Sequence, residues 1–471
     1  MTASSKSLLS YISRWVVVAV IASAALCFAA FFVNNLRNAW AFAGSLPDIA
    51  LYYGLPALAA LGLLASLRLS ASNRLALALC LGSVPPALYA AEGYLWYRYF
   101  TNKGQVAADF DSRSKLDVIT SLRQNGVRAY PAVRARSILV ETKEGTLASP
   151  LQHAGKQFLP LANAPGRTIV ACNETGQWMI FEADQFGFLN APAAWERSSG
   201  KIALVGDSFT QGYCLPPDQN IASHLQKAGY DIVNLGTSGF GPLSELASIK
   251  EYLGDLRPQT VIWMYFEGND IINDLGSELR SPILLAYLDT SFSQELKALG
   301  GVLASSLETY LDTEMVAAIA RVDRPHEKLL DFLELWRLRE SLGMDQIALG
   351  AFNADTKQRL AIFGDVLSEA KRTVEAWGGN LVFVYLPDSA RYMGARYRSP
   401  IREHLRASVL KSAQTLELPV IDLHTAFSAS SDPGKFFVFP GSHYNAEGYE
   451  LVAKTLAGAL LRKGQPHHGK P

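Results

Sequence analysis

The chain has 471 residues, 43 basic against 43 acidic side chains, and an apolar content of 49%. That length gives room for two or three domains and a large core. The balanced charge, with no long run of Lys or Arg, leaves no electrostatic footprint for nucleic acid and excludes it as an expected partner.

The apolar excess sits in the first hundred residues. Trp15 to Val33 is a nearly unbroken apolar stretch, about the length needed to cross a hydrocarbon core of roughly 30 Å. Leu51 to Leu67 and Leu75 to Ala91 are shorter and carry Gly or Pro, which membrane helices tolerate because neighbours re-satisfy the freed backbone groups. The third stretch runs into Glu92 and then Tyr94, Trp96, Tyr97, Tyr99 and Phe100, an aromatic cluster suited to a membrane interface. Ala22-Ser23-Ala24 has the small-x-small form of a cleavage site, yet the apolar run continues through Phe31 and Val33, so an uncleaved anchor is expected. Lys6 and Arg14 precede the first span, and Arg68 and Arg74 lie between the second and third, which puts both segments in the cytoplasm. Residues 1–100 are thus predicted to be an anchor of three transmembrane helices in the lipid bilayer, with everything after about Phe100 outside the cytoplasm. Cys27 and Cys80 fall inside the spans and read as small apolar residues. Cys172 and Cys214 are the exported pair, and oxidising conditions there would let them form a disulfide.

Residues 101–198 are expected to hold a connecting helix, with Leu116, Ile119 and Leu122 at helical spacing, followed by a β-rich segment. In that segment the short stretches Ser137 to Glu141, Thr168 to Cys172 and Trp178 to Glu182 are separated by Gly, Pro and Asn. From residue 199 to about 463 strands alternate with helical patterns, the signature of a parallel sheet covered on both faces. The predicted strands are Lys201 to Val205, Ile232 to Leu235, Val261 to Phe266, Leu381 to Leu386 and Val420 to Leu423. The predicted helices are Ile221 to Ala228, Leu243 to Leu253, Lys357 to Trp377, Glu403 to Leu416 and Glu447 to Arg462. A stretch of helical periodicity from about 274 to 353 fits no strand and is expected as an insertion over the sheet edge, forming a lid or binding wall. Residues 464–471 read as a disordered tail.

Gly206-Asp207-Ser208 closes the first of these strands, so a serine hydroxyl is presented where a strand stops and a turn begins. About thirty residues on, Gly236-Thr237-Ser238-Gly239 follows the second strand, and about thirty further Glu267-Gly268-Asn269-Asp270 follows the third. That interval is one strand, one crossover helix and the next parallel strand, so all three motifs fall at the C-terminal edge of one sheet, where open α/β sheets bind ligands. A serine needs a base within hydrogen-bond reach and donors aimed at the developing oxyanion. His443, just before the last helix, can supply the base. The backbone N–H groups of Ser208 and Gly239 and the side-chain amide of Asn269 can supply the donors. Each residue alone has an ordinary structural reading, as a turn glycine, a helix cap or a surface histidine. Asp207 and Asp270 read as turn and cap residues. Gly-x-Ser-x-Gly is absent because residue 210 is Thr, and neither a dinucleotide fingerprint nor a P-loop is present.

This order of motifs resembles the SGNH, or GDSL-type, hydrolase superfamily of esterases, lipases and carbohydrate acetylesterases. The four signature residues fall on Ser208, Gly239, Asn269 and His443, and the resemblance covers roughly residues 200 to 463. It implies a flavodoxin-like three-layer α/β/α fold, acyl-serine chemistry, no metal and no cofactor. With the predicted anchor it implies a bacterial inner-membrane protein whose catalytic domain is periplasmic, acting on an acylated carbohydrate or other ester. An O-acyltransferase would use the same serine, and an inactive binding or scaffold module would keep the same fold. One departure bears on this choice: the family usually carries Asp three residues before the catalytic His, and that position is Pro440. A backbone carbonyl could orient His443 in a dyad, another acid such as Asp432 could substitute, or the site could be weak.

Overall fold

The computed structural model describes residues 3–37, 50–105, 110–323, 325–341, 354–392 and 400–462. The predicted tail and the end of the predicted insertion lie outside the described residues. The chain divides into two compact units: Met1–Thr101 with His326–Asp355 and Ser399–Arg402, and Asn102–Pro325 with Thr356–Arg398 and Glu403–Pro471.

In the first unit the prediction of three spans is corrected to two. Arg14–Val33 and Ala71–Arg98 are helical, long and apolar enough to cross a membrane, while the middle segment is a twelve-residue helix, Leu55–Ser66, entered through one π turn at Ala50–Gly54. Twelve residues at 1.5 Å each extend about 18 Å, well short of a bilayer core. Pro85 and Pro86 lie inside the helix Ala71–Gln105. Apolar side chains such as Leu26 (71% exposed) and Leu79 (66%) face outward, as lipid-facing residues do. Glu92 is fully buried. It accepts from Trp96 Nε1 at 2.8 Å and from the backbone N–H groups of Arg337 and Leu338 at 3.0 and 2.6 Å, satisfying the otherwise orphaned first turn of the helix Trp336–Ser341. Part of the predicted insertion, His326–Asp355, therefore belongs to the first unit, with the two long apolar helices.

The second unit contains eight strands that matter for the site. A small sheet uses β1 (Ala129–Pro131), β2 (Thr168–Val170) and β3 (Ile180–Glu182), with β1 parallel and β3 antiparallel to β2. The stretch predicted as a strand at 137–141 is instead a single helical turn, Ala135–Ile138, followed by two extended residues. The turn forms because the carbonyl of Arg134 accepts from the backbone N–H and the hydroxyl of Ser137. The main sheet holds β4 (Ile202–Gly206), β5 (Ile232–Asn234), β6 (Thr260–Phe266), β7 (Asn380–Leu386) and β8 (Val420–Asp422). All pairings are parallel, in the order β8-β7-β6-β4-β5.

Alternation of side chains along each strand builds two apolar layers. Ala203, Val205, Val261, Trp263, Tyr265, Phe383 and Tyr385 share one core with the helices Pro242–Ser248 and Ala354–Glu375 and with Tyr130, Ile169, Phe181 and Phe188 of the β-rich segment. Ile202, Leu204, Ile262, Met264, Val382 and Val384 share the other with the helices Ile221–Lys227, Leu423–Ser428 and Ala446–Arg462. The result is a flavodoxin-like three-layer domain. The strand order reverses between β4 and β6, which opens a crevice at their C-terminal ends.

Candidate active site

Ser208 opens a one-turn helix, Ser208–Gln211, directly after β4. Asp207 caps this turn, its Oδ1 accepting from the Phe209 N–H at 2.9 Å. The turn ends at Gly212, in a left-handed conformation where a Cβ would collide with Asn220. This is the local reason that a strand-to-helix junction presents one hydroxyl at the sheet edge.

His443 reaches that hydroxyl from a hairpin-like loop after β8. The carbonyl of His443 accepts from the Val438 N–H at 3.1 Å, Tyr444 donates its hydroxyl to the Pro387 carbonyl at 2.7 Å, and the Gly441 N–H donates to Ser389 Oγ at 2.8 Å. Its ring lies between Phe209 and Tyr213, with centroids at 4.7 and 5.6 Å. His443 Nε2 is 2.9 Å from Ser208 Oγ.

The other ring nitrogen meets a carboxylate absent from the sequence expectations. His443 Nδ1 lies 2.9 Å from Glu174 Oε2, and the His443 backbone N–H donates to the same oxygen at 3.2 Å. Glu174 therefore stands where the missing Asp at Pro440 would act. Asp432 does not: it is exposed, and the bond described for it is its backbone N–H donating to Ser430 Oγ. A dyad oriented by a backbone carbonyl is likewise replaced by a side-chain carboxylate.

Cys172 and Cys214 form a disulfide with α-carbons 4.9 Å apart. Glu174 follows Cys172 by two residues, and its loop is tied down further by Thr175 Oγ1 donating to the Cys214 carbonyl at 3.3 Å and by Asn173 Nδ2 donating to the Asp111 carbonyl at 2.7 Å. The Tyr213 hydroxyl donates to the Ala171 carbonyl at 3.2 Å. Cys214 holds a positive φ of 74°, a backbone state that a side-chain-bearing residue takes only when its surroundings impose it. Cys172, Glu174 and Cys214 are also the metal-ligand-type cluster among the described residues, but both sulfurs are committed to each other, leaving one carboxylate.

Gly239 has φ +78°, and a Cβ there would sit 2.8 Å from Arg134 Cδ, so glycine is required. Among the described residues neither the Ser208 nor the Gly239 backbone N–H meets an acceptor. Asn269, three residues past β6, donates Nδ2 to Asp207 Oδ2 at 3.4 Å, the same oxygen that lies 3.4 Å from Ser208 Oγ. The structure thus gathers Ser208, Asn269 and His443 around one carboxyl group and the hydroxyl beside it.

Asp207 is fully buried. Burial pushes its carboxyl up to about 6, against the opposing pull of the Phe209 N–H, the His443 ring, the Asn269 amide and the Ser208 hydroxyl. Behind it Glu245, Asp270, Asp274 and Glu278 are also raised, first by burial. Mutual repulsion adds to the shift at Glu245, Asp270 and Asp274. Glu278 accepts three backbone N–H groups, from Gly241, Leu243 and Ser244, and so caps the helix Pro242–Ser248. Asp270 Oδ2 accepts from the Phe266 N–H at 2.8 Å.

A family model for the GDSL-like lipase/acylhydrolase family matches residues 204–451, just over half of the chain. The protein belongs to that family and is an ester hydrolase of the SGNH type. Solved structures that the chain matches include the lipase/acylhydrolase from Enterococcus faecalis, 14% identical, covering 59% of this chain and 100% of its own at a TM-score of 0.31. A member of the lipolytic protein G-D-S-L family from Veillonella parvula is 12% identical, covering 56% and 98% at 0.31, and the acetyl xylan esterase AlAXEase is 12% identical, covering 55% and 99% at 0.32. No curated protein matches the chain.

Proposed function

We propose that the protein is a membrane-anchored serine esterase that removes acyl groups, acetyl above all, from an envelope or exported polysaccharide of a bacterium. The observation that carries the chemistry is the run from Ser208 Oγ to His443 to Glu174, with both contacts at 2.9 Å. With its Nδ1–H donated to Glu174, His443 presents an unprotonated Nε2 to the serine. Ser208 attacks the ester carbonyl as its proton passes to Nε2. Negative charge develops on the carbonyl oxygen, where the N–H groups of Ser208 and Gly239 and the Asn269 amide can receive it. His443 then protonates the leaving alcohol, and water activated by the same imidazole releases the acyl group. Glu174 removes the motive for reading the site as a disabled scaffold, since Pro440 does not leave the histidine unsupported.

The disulfide supports an oxidising compartment for the catalytic domain. With two long spans in place of three, counting crossings from a cytoplasmic N-terminus no longer leads to that placement, and the disulfide carries it alone. A membrane-impermeant serine-reactive phosphonate tests both parts at once. Intact spheroplasts should label wild type and not Ser208→Ala; equal poor labelling of the two in lysed membranes rejects the nucleophile, and labelling only after lysis rejects the outward orientation. Acyl transfer to an added oligosaccharide that outruns hydrolysis of a chromogenic acetate would replace the esterase reading with that of an acyltransferase.

A further inference from the structure

We infer that the rim of this site is an anion subsite built on Arg134, and that the ester it takes carries a carboxylate or phosphate close to the scissile carbonyl. The inference rests on the esterase reading above and narrows its substrate.

Arg134 is placed by the same small sheet that delivers Glu174. The Ala132 N–H donates to the Val170 carbonyl at 3.0 Å and the Val133 N–H donates to the buried Asn163 Oδ1 at 2.8 Å, which pins the chain just before the turn that starts at Arg134. Its aliphatic stem lies against Gly239: a Cβ built on that glycine would be 2.8, 3.1 and 3.3 Å from Arg134 Cδ, Cγ and Cβ. Its guanidinium carbon is 6.0 Å from the centroid of Tyr213, whose ring flanks His443. A cation is thus held next to an expected oxyanion donor and one ring away from the expected base.

Other arginines of this unit are spent on acids. Arg123 pairs with Asp312, Arg128 and Arg167 with Glu308, Arg280 with Glu141, and Arg391 with Glu267 and Glu403. Among the described residues no carboxylate pairs with the guanidinium of Arg134 or Arg136. Both arginines act through space on the buried Asp274, pulling its carboxyl down against the stronger upward push of burial. Arginine's planar fork suits a carboxylate or phosphate, and a bond of this kind made in a partly desolvated cleft is stronger than one made in open water.

The test uses the full-length chain in detergent with four esters: 4-nitrophenyl acetate, mono-4-nitrophenyl succinate, and the methyl glycosides of O-acetylglucose and O-acetylglucuronic acid. The readout is the ratio of kcat/KM for each anionic ester to that of its neutral counterpart. Arg134→Gln should lower that ratio about 10- to 100-fold, Arg134→Lys should recover part of it, and added salt should erode it in wild type more than in the variant. A loss confined to the succinate puts the anion on the acyl side, and one confined to the glucuronide puts it on the alcohol side. An unchanged ratio in Arg134→Gln overturns the subsite, whatever happens to the overall rate. If wild type turns over none of the four esters, the esterase reading falls separately. The subsite is then judged by calorimetric binding of methyl glucuronide, where equal affinity for wild type and Arg134→Gln overturns it.

Discussion

Glu174 accepts two hydrogen bonds from one residue, through the ring and the backbone of His443, so it fixes both the tautomer and the position of the imidazole. Glu174→Gln should keep the shape and lose the anion, lowering kcat on a chromogenic acetate by about 100- to 10,000-fold. Asp432→Asn, on an exposed residue away from the ring, should leave kcat unchanged; the reverse pattern would return the acid role to Asp432. The neighbourhood of Ser208, Asn269 and His443 was legible because each follows a strand or precedes a helix in a fixed order, whereas Gly239 is placed here only by its positive φ and its contact with Arg134. Glu174 was not, because Asn173-Glu174-Thr175-Gly176 reads as an ordinary turn and lies before the family's own motifs. The available signal was indirect: with Asp missing at Pro440, Glu174 is a carboxylate two residues from a cysteine whose partner follows the nucleophile.

At the scale of elements, the small sheet is the part that completes the site. β2 leads into Cys172 and Glu174, β1 leads into Arg134, and the disulfide joins this sheet to the loop behind Ser208. The bridge closes a sequence separation of 42 residues, and its loss in Cys172→Ser/Cys214→Ser should destabilise the domain by about 2–4 kcal/mol. It should also lower kcat, and the loss should not add to that of Glu174→Gln, since both changes act through one carboxylate. Full additivity in that cycle would give the disulfide a route to kcat independent of Glu174, and an unchanged kcat in the Cys variant would confine it to stability. The five strands of the main sheet were readable within one residue and its long helices within three, because apolar runs buried on both faces and amphipathic crossovers leave strong periodic signals. β1 was missed: three residues ending in Pro131 carry too little pattern, and pairing with the distant β2 decides their state.

For the whole molecule, the cost of the site is a set of buried acids beneath it. Asp207, Glu245, Asp270, Asp274 and Glu278 all hold protons more tightly in the fold than in the open chain. Their contribution to stability is complete below the open-chain values of 3.8 and 4.5 and is lost as pH rises through the folded values, about 6 for Asp207. Asp111 and the exposed Asp117 are shifted down by hydrogen bonds from Arg113 and Ser114, so their small contribution runs the other way and fades only in stronger acid. The melting temperature should therefore fall from mildly acidic to mildly alkaline buffer. Glu245→Gln should flatten that fall, raising Tm on the alkaline side with little change on the acidic side; an equal shift at both would assign the effect to packing. The first hundred residues show the limit of hydropathy alone. A stretch of suitable composition at 51–67 supports a helix of only twelve residues, and no local pattern foretold that Glu92 would cap a helix 245 residues further on.

The sulfur bridge beside the histidine has a consequence for the life history of each molecule. A freshly translated chain still in a reducing cell interior would have its serine in place but its glutamate on a loop held by hydrogen bonds alone. Such a chain would be nearly inert toward the esters of its own cytoplasm. If the catalytic domain is exported as proposed, competence would arrive through the same oxidation that completes folding, without a separate propeptide or inhibitor.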